Sequence, residues 1–213
     1  MRLKFDEQLA LLNEDLITMG ALCENAIATS SKALTSGDFE LAAGVRVLSE
    51  QINQKEKDIQ NLCLKLLLQQ QPVAKDLRAI SSALKMITDM ERIGDQAEDI
   101  VEIAATAKKK MLKKSKHIQR MAAATIDMVN KSVEAFIKKD LLIAEEVSHN
   151  DDVVDALFEE IVNDLVDIIK KDEGTSEVLD MLMVAKYFER IGDHAVNIAE
   201  WVQFSITGEH KRL

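Results

Sequence analysis

Helix breakers are what this chain has least of: its 213 residues include one proline, Pro72, and seven glycines. Beside abundant Leu, Ala, Glu and Lys, that scarcity predicts an almost wholly helical protein. Cysteine is equally sparse. Cys23 and Cys63 lie in apolar helical patterns, where they serve as small hydrophobes, and two isolated residues fit neither a disulfide framework nor a zinc site. No apolar run approaches the length of a bilayer span, Leu66-Leu67-Leu68 being typical. Asp6 and Glu7 interrupt the N-terminus before an apolar segment forms, so no signal peptide is expected and the chain reads as soluble and cytoplasmic. Positive charge is also in deficit. The net charge of −10 disfavours non-specific nucleic-acid binding and suits cations or basic partner surfaces.

Catalytic signatures are missing too. There is no phosphate-binding P-loop, dinucleotide fingerprint or nucleophile elbow. His117, His149, His194 and His210 show no regular relation to one another. A ferritin-like di-iron enzyme needs Glu-x-x-His on two helices, and only Glu146-Val147-Ser148-His149 fits. A carboxylate-bridged helical metalloenzyme therefore stands as an alternative reading, not the leading one.

What the chain does have is a five-residue string that occurs twice: Glu91-Arg92-Ile93-Gly94-Asp95 and Glu189-Arg190-Ile191-Gly192-Asp193, 98 residues apart. Apolar spacings of three and four residues mark six helices around it. They run from about Phe5 to Leu34, from Asp38 to Gln70, from Pro72 to Lys108, from Ile118 to Ile137, from Asp140 to Ile169 and from Thr175 to Ile206. Ile80, Leu84, Ile93, Ala97 and Ile100 of the third helix correspond to Val178, Leu182, Ile191, Ala195 and Ile198 of the sixth. Asp38, Ala42, Val45, Ile52 and Asn53 correspond to Asp140, Ala144, Val147, Val154 and Asp155 at an offset of 102. The chain is a duplicated three-helix unit, so the expected fold is all-α: two tandem, similar three-helix bundles of long antiparallel helices, 1–110 and 111–213. The basic run from Lys108 to Lys116 between them reads as a solvated linker, with docking on a membrane or an acidic partner as the alternative.

On a helical wheel Ile80, Ala83, Ile87, Met90, Ala97 and Val101 form one apolar face of the third helix. Glu91, Asp95, Glu98 and Glu102 fall within roughly 60° along its edge, at about 100° per residue. Glu189, Asp193 and Glu200 repeat that edge in the sixth helix, and Asp151, Asp155 and Asp152 form an acidic arm on the fifth. Like charges at i,i+4 oppose helix formation by a few tenths of a kcal/mol per pair, so cations must offset them. Two readings stay open: a salt-bridge network using Arg92, Arg190 and neighbouring lysines, or a metal site, since hard cations and iron take oxygen ligands. Gly94 and Gly192 each cost about 1 kcal/mol in a helix interior, and close helix packing explains them better than room for an ion. Arg92 and Arg190 have the guanidinium fork that binds anions, with a structural salt bridge as the plainer reading.

The doubled Glu-Arg-Ile-Gly-Asp, the Gln71-Pro72-Val73-Ala74-Lys75-Asp76-Leu77-Arg78 entry to the third helix and Ile17-Thr18-Met19-Gly20 resemble the PhoU family of phosphate transport system regulators. The likeness spans the whole chain. It implies a cytoplasmic, non-enzymatic adaptor of two three-helix bundles that links the ATPase of a phosphate importer to a sensor histidine kinase, restraining the phosphate-starvation response. It also implies a homodimer, contact with the membrane only through partners, and metal ions (iron, or Mg, Mn or Zn) on acidic motifs. Carried onto this sequence, the second-half site would use Asp151, Asp155, Glu189 and Asp193. The first-half site would use Glu91 and Asp95, but Ser49 and Asn53 stand where the second half has Asp151 and Asp155, leaving Glu50 or Asp99 to substitute. Arg92 and Arg190 are the expected partner-binding positions.

Overall fold

The computed structural model describes residues 2–36, 38, 40–69, 72–106, 116–171 and 175–209. Six helices make up the fold: α1 (Arg2–Ser36), α2 (Glu40–Gln69), α3 (Ala74–Thr106), α4 (Lys116–Lys138), α5 (Leu141–Lys170) and α6 (Thr175–Thr207). No strand occurs among the described residues. The basic run from Lys108 to Ser115, the boundary at residue 110 and the turn residues 172–174 lie outside them.

The helix starts are set by side chains the duplication predicts. Asp38 Oδ1 accepts a hydrogen bond from the Glu40 amide at 3.0 Å, and its repeat mate Asp140 accepts from the amides of Leu142 and Ile143 at 2.9 and 3.3 Å. Pro72 stands two residues ahead of α3, outside its first turn; the ladder opens when Leu77 N–H donates to the Val73 carbonyl at 2.9 Å. α4 ends in a Schellman motif, with Lys139 N–H bonded to the Phe136 carbonyl at 3.4 Å and Asp140 N–H to the Ala135 carbonyl at 3.1 Å. Lys139 is left-handed there, at φ 56°.

The helices α1, α2 and α3 pack on one another as one bundle and α4, α5 and α6 as the other. All six apolar positions expected on α3, from Ile80 to Val101, are buried, as are Val178, Ile191, Ala195 and Ile198 on α6. Each large aliphatic side chain buried this way contributes roughly 1.5–3 kcal/mol. Cys23 and Cys63 are free and buried, and burial pushes both thiols up to about 12, so neither supplies a thiolate.

The bundles meet along two seams, α1 against α4 and α3 against α6. The α3–α6 seam is antiparallel and polar at its edge. Asp89 Oδ1 lies 2.9 Å from His194 Nδ1 and accepts from Asn197 Nδ2 at 3.2 Å. Toward the other end of α3, Tyr187 donates to the Asp99 carboxylate. The Lys85 ammonium sits 5.8 Å from the centroid of the Trp201 ring.

Candidate metal centre and its partner groove

The repeated string faces a neighbouring helix in each half, and the glycine sets how close that helix comes. In the second half, a Cβ on Gly192 would lie 3.0 Å from Asp151 Oδ1 and 3.5 Å from Val154 Cγ1. The missing side chain thus admits an α5 carboxylate to the α6 backbone. Asp151 is half-buried, and its Oδ1 is buried without a hydrogen-bond partner. Burial, then the charges of Asp155, Asp193, Asp152 and Glu189, push its carboxyl up to about 6. Asp155 is raised by burial and by Glu189 and Asp152. Asp193 is raised by burial and by Glu189, with Lys186 pulling the other way. The Lys186 ammonium pairs with Glu189 one turn along α6.

The Glu189 charge therefore reaches Asp193 along α6, and Asp151 and Asp155 across the α5–α6 groove. Asp151 and Glu189 line its wall, while Asp155 and Asp193 reach solvent. The donor set is all oxygen, which suits hard divalent cations and iron. An orphaned buried carboxylate oxygen amid three other carboxylates fits a cation. As placed, no three His, Cys, Asp or Glu side chains among the described residues close round one ion. The exposed Asp155 and Asp193 would have to turn inward to complete coordination.

The first-half groove is built differently. A Cβ on Gly94 would meet Ile52 Cδ1 at 2.9 Å, so here the same glycine admits a hydrocarbon branch. Ser49 is only 2% exposed, and Asn53 presents a buried Oδ1 with no hydrogen-bond partner. Arg92 bridges its own helix's acids, with Nε 3.5 Å from Glu91 and Nη1 3.5 Å from Asp95. Glu91 is raised by burial, then by Asp95, while Arg92 opposes the shift. Asp95 is raised by burial and lowered by Arg92.

The structure does not bring the expected substitutes to this pair. Glu50 is exposed on α2, and Glu56 is the α2 acid whose charge reaches Glu91. Asp99 turns to α6 instead, where it accepts from Tyr187. It feels the charge of Asp95 but is committed to the seam. Farther along the edge, Arg46 of α2 bridges Glu98 at 3.1 Å and Glu102 at 3.3 Å. Arg190 is exposed on α6, close enough for its charge to lower the Tyr187 hydroxyl. Sequence reasoning missed Arg46, Glu56 and Lys186. Lys186 is three residues before Glu189 on the same helix and was open to discovery by spacing alone. Arg46 and Glu56 required knowing which face of α2 meets α3.

Together these features define a class: tandem three-helix bundles that carry repeated carboxylate pairs along their grooves. The sequence profile of the PhoU domain matches residues 16–104 and again 118–202. This chain belongs to the PhoU family. It is similar to a phosphate-specific transport system accessory protein PhoU homolog of Clostridium acetobutylicum, 35% identical over 217 residues, covering 98% of this chain and 97% of that protein. The crystal structure of PhoU from Pseudomonas aeruginosa is 32% identical and superimposes with a TM-score of 0.87, covering 96% of this chain and 100% of the other. The phosphate transport system regulatory protein PhoU from Streptococcus pneumoniae, at 25% identity, gives a TM-score of 0.91 over 98% of this chain and all of the other. No described helix is long and apolar enough to cross a membrane.

Proposed function

We propose that this chain is a cytoplasmic adaptor of phosphate signalling without catalytic activity of its own. It restrains the phosphate-starvation response by coupling the ATPase of a phosphate importer to a two-component sensor kinase, working as a homodimer that reaches the membrane only through these partners. Relatives named as accessory and regulatory proteins of phosphate transport support the first part of this reading. The orphaned Asp151 oxygen in the α5–α6 groove supports the second: a metal ion, iron or Mg, Mn or Zn, held by Asp151, Asp155, Glu189 and Asp193. When bound, such an ion supplies positive charge that draws the two helices' carboxylates together. Asp151 and Glu189 would hold it from the groove wall, and Asp155 and Asp193 would have to turn in to complete its ligands. A metal-free arrangement is favoured in the first half, where Arg92 and Arg46 already balance the acids.

The test has two arms. Cells lacking the gene are given wild type or an empty vector, and a phosphate-starvation reporter is read in excess phosphate. Restored repression, with the transporter ATPase and the kinase co-purifying, is expected; unchanged reporter output with neither partner recovered overturns the adaptor reading. Bound metal is quantified in gently purified wild type and Asp193→Ala. Equal, near-zero content in both overturns the metal reading and leaves the adaptor reading standing.

A further inference from the structure

A cavity of about 260 Å³ lies where the two bundles meet at one end of the molecule, lined by none of the groove carboxylates. It is lined from both halves, by α1 and α3 of the first and by α6 and the α4 terminus of the second. Leu12, Phe136 and Ile206 give it an apolar floor, and Lys75 and Lys139 bring two ammonium groups to its lining. Asp76 also lines it, from the first turn of α3, where the positive end of the helix dipole offsets its charge. The two lysines are 64 residues apart in sequence, and among the described residues neither has a carboxylate within ion-pair distance. Both lysines are exposed, so their ammonium groups stand at the mouth of the cavity, open to an incoming anion.

Lys139 supplies an independent observation. It occupies the left-handed position of the α4 Schellman motif, at φ 56°, the one non-glycine residue with positive φ among the described residues. Glycine is the residue that fits this position without strain. The sequence keeps a long cationic side chain where none is needed for the turn, and that side chain lines the cavity. Strained backbone of this kind is found where a side chain has work beyond the fold.

We infer that this inter-bundle cavity binds a small organic anion, an apolar body with a phosphate or carboxylate head, seated on Leu12, Phe136 and Ile206 with Lys75 and Lys139 on its head group. The apolar floor rejects a bare inorganic ion, because dehydrating an ion against hydrocarbon is costly. The volume equals the share of about nine waters in the liquid, enough for a ring and a charged head. The site is independent of the metal and transporter readings above.

Phenyl phosphate is the probe, titrated calorimetrically into the full chain, with inorganic phosphate and benzyl alcohol as the separate head and body. Saturable binding of phenyl phosphate is expected, at least tenfold tighter than either part. Lys75→Gln and Lys139→Gly are each expected to weaken it at least fivefold. Lys139→Gly is the decisive variant because glycine suits the turn: its melting temperature should equal or exceed that of wild type while the affinity falls. No saturable binding by wild type overturns the inference. So does unchanged affinity in Lys139→Gly, and so does inorganic phosphate binding as tightly as phenyl phosphate.

Discussion

The same five residues, set on equivalent helices, meet a hydrocarbon in one half of the molecule and a carboxylate in the other. Gly94 leaves room for Ile52, whereas Gly192 leaves room for the carboxylate of Asp151. Around Gly94 the acids are balanced by Arg92 and Arg46. Around Gly192, among the described residues, Lys186 pairs with Glu189 and His194 adds a weaker opposing influence on Asp193, while Asp151, Asp155 and Asp193 are all raised by burial and neighbouring carboxylates. A repeated motif therefore repeats a backbone opportunity, and the facing helix decides what fills it.

The comparison is broken most severely by metal. Asp151→Asn is expected to weaken binding of added Mn²⁺ at least tenfold, while Glu91→Gln changes it less than twofold. Calorimetric titration of both variants checks this, and equal losses would make the two grooves alike. Stability gives the next largest contrast. Gly94→Ala should destabilise by about 1–2 kcal/mol, since overpacking against buried Ile52 outweighs the gain in helix propensity. Gly192→Ala should stay within about 0.5 kcal/mol, because a half-buried carboxylate turns aside more readily than a packed isoleucine. Denaturant melts of both, together with the double variant Gly94→Ala/Ile52→Val, decide it: trimming Cδ1 should cost less in the Gly94→Ala background than in wild type.

Proton linkage sharpens the contrast further. In metal-free protein Asp151 has a raised folded pKa, about 6 against an ordinary 3.8. The folded state keeps a proton the unfolded chain has lost in that window, so this group's contribution to stability falls as pH rises through it. Asp151→Asn should flatten that slope and stabilise the protein by about 1 kcal/mol at pH 7, after discounting for a half-exposed, screened site. Melts across the window test the sign; a wild type that gains stability there through Asp151 would refute it. Smallest is Arg46→Ala, which removes an exposed bridge to Glu98 and Glu102. Its slight destabilisation should disappear in high salt, and a loss that survives salt would assign Arg46 a packing role.

Much of this architecture was legible in the sequence because it is local or periodic. Asp38 and Asp140 announce their helices through capping, which depends on residues two and three positions away. The α3 apolar face follows from the helical repeat alone. The acidic edge was legible for the same reason, including its asymmetry at Ser49 and Asn53. What balances that edge was not. Arg46 is 52 residues from Glu98, Tyr187 is 88 residues from Asp99, and their meetings depend on which helix faces rotate together. Glu50 looked as eligible as Glu56 on composition; only the rotation of α2 against α3 separates them.

The α3–α6 seam has a consequence of its own. Asp89 and Tyr187 are repeat mates, as are Asp99 and Asn197; the seam pairs Asp89 with Asn197 and Tyr187 with Asp99. Each position meets the other's counterpart, which is the rule of an isologous two-fold contact. The chain carries within itself the interface that two separate copies of a single repeat would make. That surface is spent internally, so it is not free to receive a second whole chain.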